Sequence, residues 1–318
     1  MNGIDVSYHQ FRIDWRKVKD SGVEFAILRS SHGRNEIDKR FEENYAAAGA
    51  VGMPRGAYHY FYYGDHEKFI AEVRNFLARI SGKRFELPVF LDFEEEAAKY
   101  APPLGAIERT ALTNWALEAF AMIEAAGFRP GLYANAYWMR KKLDMSRIPS
   151  NVCVWCADTS GPIDYPGRVD IHQYNFYGAV PGISGNGVDL NRSLCSDAYL
   201  FGRAALSGHI QNIGWQDGEQ MIGTVGQSLR LEAVKIDLQG VEYRAHVQVI
   251  GWLDWVASGQ VTGTTGESRR MEAIQIVGPV QYRAHVQDIG WMDWVNSGET
   301  AGTVGQSKRL EAIEIKML

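Results

Sequence analysis

Two periodicities divide this chain. Up to about residue 200, short apolar runs alternate with segments whose apolar residues recur every three or four positions. Beyond that point only period-two alternation is found. The apolar runs predict strands at residues 4–8, 24–30, 55–62, 87–93, 131–135, 152–157, 170–175 and 187–191. The intervening spacing predicts helices at 14–20, 39–50, 66–80, 107–126 and 138–143. The helix from Ile107 is the clearest: Leu112, Trp115, Ala119, Met122 and Ile123 follow a 3.6 period, and Gly127 stops it. After the sixth strand the connections (Gly161-Pro162, Tyr165-Pro166-Gly167, Pro181-Gly182) are too short and too rich in Gly and Pro for helices. Five βα units and then three strands predict an α/β fold, a TIM-like (β/α)5β3 barrel incomplete on one side.

The last third repeats. Val241-Glu242-Tyr243-Arg244-Ala245-His246-Val247-Gln248 returns as Val280-Gln281-Tyr282-Arg283-Ala284-His285-Val286-Gln287, and Gly208-His209-Ile210-Gln211 opens a degenerate first copy. Each copy passes a Gly-Thr turn at Gly223, Gly263 or Gly302 and ends in a Glu-Ala strand at Glu232, Glu272 or Glu311. Trp215, Trp252 and Trp291 are 37 and 39 residues apart, and the first copy is three residues shorter between its Trp and its Gly-Thr. A period of this length means one supersecondary unit repeated around a shared core. Alternation without a long helix predicts an all-β domain, a three-repeat β-prism or alternatively a β-trefoil.

Composition narrows the partners. The chain has 318 residues, 46% of them hydrophobic and 22% charged, with a net charge of −5. Lys and Arg number 24 against 25 Asp and Glu before Ser207, and 9 against 13 after it. Neither part has the basic excess that nucleic acid or an anionic membrane surface needs, so neither partner is expected. The opening Met1-Asn2-Gly3-Ile4-Asp5-Val6 lacks a basic n-region and an apolar h-region, so synthesis in a cytoplasm without a signal peptide is expected. Cys153, Cys156 and Cys195 are an odd count. A three-residue offset on a strand sends Cys153 and Cys156 to opposite faces, which makes them buried thiols rather than a redox or metal pair.

Candidate chemistry begins at Pro88-Val89-Phe90-Leu91-Asp92-Phe93-Glu94, where a buried strand ends in two carboxylates on one face. Acids beside a core are costly unless paired, solvated or used. In a TIM-like barrel the strand ends at the C-terminal mouth carry the active site. Strand one places Asp5 there, strand four Asp92 and Glu94, and strand eight Asp189, next to strand one in a closed ring. No lysine or arginine stands at the same strand ends. Crowded carboxyls raise one another's pKa, which keeps Glu94 protonated as a general acid. A cation held by the four acids is the alternative; no metal and no cofactor is expected. Tyr58, Tyr60, Tyr62, Tyr133, Trp155 and Tyr174 are expected around the same mouth as stacking surfaces for sugar rings. Gln173 and Asn135 are expected to hydrogen-bond substrate amides.

Asp5-Val6-Ser7-Tyr8-His9-Gln10, Gly56-Ala57-Tyr58-His59-Tyr60, Leu91-Asp92-Phe93-Glu94 and Val188-Asp189-Leu190-Asn191 together resemble the glycoside hydrolase family 25 lysozymes. The His-x-Gln-x-x-Gly-Trp and Gly-Thr-x-Gly-x-Ser copies resemble clostridial hydrophobic repeats with a characteristic Trp. The resemblance divides the chain into a catalytic barrel over 1–203, a linker at 204–207 and a wall-binding domain over 208–318, with copies at about 208–238, 241–277 and 280–316. It implies a phage-type endolysin that cleaves the β-1,4 bond from N-acetylmuramic acid to N-acetylglucosamine in a Gram-positive, clostridial wall, reached through a separate holin. Glu94 is then the acid/base. Asp92 is its partner, either by positioning the substrate N-acetyl group or by direct attack. Asp5 and Asp189 shape the electrostatics and bind substrate. Strand spacing alone spans both the retaining and the inverting carboxyl separations. In the repeats, Trp215, Trp252 and Trp291 are expected in the core, Trp255 and Trp294 exposed for wall binding, and His209, His246 and His285 hydrogen-bonded, with a shared metal as the alternative. A glycan-binding protein without catalysis and a barrel glycosidase for another polysaccharide are the competing readings.

Overall fold

The computed structural model describes all residues except 35, 95–101, 185–186, 203–204, 239 and 318. The chain forms two compact units, Met1–Phe201 and Gly202–Leu318. The expected domain end at 203 and the start of the linker at 204 lie outside the described residues. No helix among the described residues is long and apolar enough to cross a membrane.

The first unit runs β1 (Asn2–Val6), α1 (Trp15–Asp20), β2 (Phe25–His32), β3 (Glu36–Ile37), α2 (Phe41–Ala50), β4 (Arg55–Tyr60), α3 (His66–Ile80), β5 (Val89–Phe93), α4 (Arg109–Ala125), β6 (Pro130–Asn135), α5 (Ala136–Lys141), β7 (Cys153–Ala157), β8 (Ile171–Gly178), β9 (Val188–Ser193) and α6 (Asp197–Leu200). All eight expected strands are present. β3, which the pattern did not mark, is a short hairpin addition to β2 outside the ring. From β1 through β2, β4, β5, β6 and β7 to β8 every pairing is parallel. β9 then closes the ring antiparallel to both β8 and β1. The sheet is therefore complete; what is incomplete is the helical jacket, because the described β7–β8 connection, rich in Gly and Pro, forms no helix and the antiparallel β8–β9 pair needs no crossover.

Side-chain parity sorts the barrel into two cores. Ile4, Val6, Ala26, Leu28, Val89, Leu91, Phe93 and Leu132 face the helices. Phe25, Ile27, Phe90, Tyr133, Cys153, Trp155 and Ile171 fill the interior. Each buried Phe of this kind contributes roughly 1.5–3 kcal/mol. Gly131 makes room for Phe90: a Cβ there would lie 2.3 Å from the ring. Cys153 belongs to the interior cluster and Cys156 to the outer one, so the two thiols face apart, and both are free. α4 begins two residues later than its periodicity suggests because the Glu108 carboxylate accepts from the N–H groups of Thr110 and Ala111 and caps it.

The second unit is three sheets linked by exchanged strands. Copy one supplies β10 (Ala205–Ile210), β11 (Gly214–Gly218), β12 (Met221–Gly223) and β13 (Leu231–Asp237). Copy two supplies β14 (Glu242–Val247), β15 (Gly251–Trp252), β16 (Val256–Ala257), β17 (Val261–Gly263) and β18 (Met271–Val277). Copy three supplies β19 (Val280–Val286), β20 (Gly290–Trp291), β21 (Val295–Asn296), β22 (Thr300–Gly302) and β23 (Leu310–Met317). β17 joins the sheet of copy one, β22 that of copy two, and β12 that of copy three. The exchange is cyclic, around one core that includes Leu206, Val234, Tyr243, Ile274, Tyr282 and Ile313. Three separate antiparallel sheets make this a prism; the trefoil alternative does not hold. The glycine of each Gly-Thr turn makes the exchange possible. At Gly263, with φ 104°, a Cβ would lie 2.4 Å from the Glu232 carbonyl oxygen of the accepting sheet.

Candidate active site

Interior parity carries a line of polar side chains to the mouth of the barrel. Asp5, Asp92, Glu94 and Asp189 line one cavity of about 280 Å³ together with Tyr58, Tyr60, Tyr133, Trp155, Gln173, Phe176 and Arg29. The four acids thus meet as the strand count predicts, but Asp189 arrives by another route. β9 is antiparallel, so it is its N-terminal end that shares the mouth with the C-terminal ends of the parallel strands. There Asp189 pairs in register with Asp5.

Two amides hold Asp5. Its Oδ2 accepts from Gln173 Nε2 at 2.7 Å and from Asn191 Nδ2 at 2.8 Å. The carbonyl ends of both amides are also taken: Gln173 Oε1 accepts from the Tyr133 hydroxyl at 2.7 Å, and Asn191 Oδ1 from Trp155 Nε1 at 2.8 Å. These partners fix both amides with their NH₂ groups toward Asp5. Burial raises Asp5 to about 6, and the amide donors oppose that rise. Asp189 is raised to about 9 by burial and by the Asp5 charge. The proton of this pair therefore sits on Asp189, which hydrogen-bonds Asp5.

Asp92 lies between Tyr60 and Tyr133 in the β4–β5–β6 register. It is 6% exposed, and its Oδ1 has no hydrogen-bond partner. Burial first, and the Glu94 charge second, push its pKa well above the usual carboxylate range. Glu94 follows the end of β5 and is half-buried. The Tyr133 hydroxyl hydrogen-bonds it. Burial and the neighbouring charge thus favour the protonated form of Asp92, and two interacting carboxyls titrate as a pair.

Several expected roles change. Gln173 is buried and spends both amide ends inside the protein. Trp155 is 1% exposed and forms the floor, edge-on to Tyr58, Phe90 and Tyr133. Tyr62 bonds His32 Nδ1 at 2.9 Å, away from the cavity. Tyr174, neighbour of the inward Gln173, must point outward and lies under Arg192. The Asn135 side-chain Oδ1 caps α5 by accepting from the Trp138 N–H. Arg29 and Phe176 were missed. Phe25, Ile27 and Arg29 share one strand face, which was the available signal for the arginine. Phe176 reaches the cavity past register shifts in β8.

In the second unit, Trp215, Trp252 and Trp291 are not core residues. They sit on edge strands, with Trp215 43% exposed. Each meets the histidine of its copy edge-on, and His209, His246 and His285 lie 2.8, 3.2 and 3.1 Å from Glu232, Glu272 and Glu311. No metal-holding group of His, Cys, Asp or Glu is found among the described residues. The Arg244 guanidinium lies between Trp252 and Trp255, 4.8 and 4.7 Å from the ring centroids; Arg283 lies likewise between Trp291 and Trp294.

Residues 4–183 match the model of the glycosyl hydrolases family 25, and 209–240, 246–277 and 285–318 match the clostridial hydrophobic W repeat. The chain belongs to glycosyl hydrolase family 25. It is 30% identical over 218 residues to Lysozyme M1 of Streptomyces globisporus, covering 64% of this chain and 71% of that one. The crystal structure of the bacterial lysozyme from Streptomyces coelicolor superposes with a TM-score of 0.56 at 29% identity, over 63% of this chain and 95% of that chain. The uncharacterized protein YegX of Escherichia coli K12 is 31% identical over 149 residues, 45% of this chain and 51% of that one. The chain thus spans about half the length of YegX.

Proposed function

We propose that the chain is a muramidase. It hydrolyses the β-1,4 bond between N-acetylmuramic acid and N-acetylglucosamine in peptidoglycan. The observation that carries this reading is the four-carboxyl cavity, with Asp92 and Glu94 on one side and the one-proton pair of Asp5 and Asp189 on the other. Family membership and the likeness to Lysozyme M1 support it.

Glu94, the less buried of its pair, gives the shared proton to the glycosidic oxygen as the C1–O bond breaks. It recovers a proton from the water that adds to C1. Delivery leaves Asp92 ionised against the reacting sugar, where a carboxylate supports either the substrate acetamido group or C1 itself. Tyr133 assists. Its single proton goes to Gln173, so it offers Glu94 only lone pairs, which favour the protonated glutamate. Asp5 stays ionised and Asp189 neutral, giving a fixed negative field that favours the oxocarbenium-like transition state. Tyr58 and Tyr60 are the stacking surfaces of this site, over the Trp155 floor, with Gln173 holding the acids rather than the sugar.

Copies two and three bind the wall through Trp255, which is exposed, and Trp294, which is half-buried rather than exposed as expected, and the whole acts as an endolysin of a Gram-positive, clostridial host, released to the wall through a holin. Product analysis on purified peptidoglycan tests the catalytic reading. Wild type should release muramic acid reducing ends, and Glu94→Gln should be slower by about 10²–10⁴. Release of N-acetylglucosamine reducing ends, or lysis by Glu94→Gln at the wild-type rate, overturns it.

A further inference from the structure

We infer that Arg29 reads the 3-O-lactyl group, the substituent that separates N-acetylmuramic acid from N-acetylglucosamine. This rests on the peptidoglycan reading above. Arg29 is the single cation among the described residues that line the cavity, which otherwise presents four carboxyls.

The residue is mounted rather than merely present. Asp38, with its side chain fully buried, accepts from Arg29 Nε at 2.9 Å and from the backbone N–H of Tyr8 and Arg40 at 3.0 and 2.9 Å. The guanidinium carbon lies 5.1 Å from the centroid of the Tyr8 ring. Held at Nε and stacked on one face, the fork has little freedom left. Its Nη2 is buried and has no hydrogen-bond partner. Trp155 and Tyr133 spend their single donors on Asn191 and Gln173, and Gln173 and Asn191 each direct an N–H to Asp5.

Arg29 stands one inward position beyond Ile27, which pairs with Asp5, and is itself in register with Tyr58. Of the described ionisable groups lining this mouth other than its tyrosines, four are carboxyls that disfavour an acid or carbonyl substituent, and Arg29 is the one that offers it a positive charge. The lactyl group is such a substituent. It offers a carboxylate in a free glycan and an amide carbonyl where a stem peptide is attached, and both are acceptors. N-acetylglucosamine carries a hydroxyl at that carbon, which can donate and does not need the arginine.

The test uses the full chain with Glu94→Gln, so that substrate binds without being cut. Binding is measured by calorimetry for a tetrasaccharide of alternating N-acetylglucosamine and N-acetylmuramic acid. Its partner probe is the same tetrasaccharide with the lactyl carboxyl reduced to the alcohol. The acid should bind at least about tenfold more tightly than the alcohol. Adding Arg29→Gln should bring the ratio within about twofold by weakening the acid alone, and Arg29→Lys should restore part of it. A ratio near one before Arg29 is changed, a ratio unchanged by Arg29→Gln, or no binding of either probe overturns the inference. Thermal melts of the Arg29 variants identify any that fail to fold, and Arg29→Lys then decides. If wild type yields no muramic acid reducing ends while the ratio still collapses, the muramidase reading fails and the lactyl site stands.

Discussion

Asp189 faces Asp5 directly across the antiparallel β1–β9 ladder, and the two side chains share one hydrogen bond. Two amides supply Asp5 with donors, and the Asp5 charge holds the proton on Asp189. One carboxyl is fixed as an anion and its neighbour as an acid. This asymmetry has a measurable cost in stability.

The folded-state pKa of Asp189, about 9, lies far above its ordinary 3.8. Between those values the folded chain binds more protons than the unfolded one, so stability falls as pH rises from about 4 to about 9. Asp189→Asn keeps a donor toward Asp5 and cannot ionise. Its melting temperature should exceed that of wild type by at least ~2–4 °C at pH 8 and match it near pH 4. Equal pH slopes in the two melting curves would remove the proton from Asp189.

Tyr133→Phe deletes one oxygen, which links Gln173 to Glu94. Without lone pairs facing Glu94, the protonated glutamate loses support. The alkaline limb of the kcat/KM profile should move to lower pH, with kcat falling about tenfold or more at pH 7 while KM changes little. A profile that keeps its shape and merely shrinks would make Tyr133 a packing residue.

Gly263→Ala places a methyl against the carbonyl oxygen of Glu232 in a backbone region that disfavours side chains. The cost is ~1–3 kcal/mol. In calorimetry of the full chain, the transition of the repeat unit should drop by ~4 °C or more. It should stay single, because the exchange couples all three sheets. A separate early transition for copies one and two would show that they unfold apart from copy three.

Trp255→Ala and Trp294→Ala should each weaken co-sedimentation of the full chain with clostridial walls several-fold. The double variant should lose far more than either, as expected for two sites on one ligand lattice. Wild-type sedimentation of the double variant would assign wall binding elsewhere.

Much of the barrel was legible because its signals are local. Eight apolar runs with period-two parity are the eight strands, and Asp5, Asp92 and Glu94 follow from parity and strand ends. Direction was not legible. Asp189 was placed at the mouth on the assumption of a parallel strand, yet it is there because β9 runs the other way. Arg29 carries no strand-end signal of its own, and only its shared face with Ile27 places it inward. Tyr174 was set beside Gln173 against parity. The three repeated Trp were expected in the core from their glycine neighbours; they instead occupy two-residue or edge strands that have only one packed face. Which amides would clamp Asp5 depends on partners 168 and 186 residues away, and no pattern along the chain reports that.

The exchanged strands fix the copy number. An open solenoid lengthens by adding a repeat at either end, but here, among the described residues, β12 of copy one has its ladder on β23 of copy three. Loss of one copy orphans a strand edge, and gain of one leaves the ring unclosed. During synthesis, copy one must wait with β12 unpaired until β23 has left the ribosome, so the module assembles late and all at once.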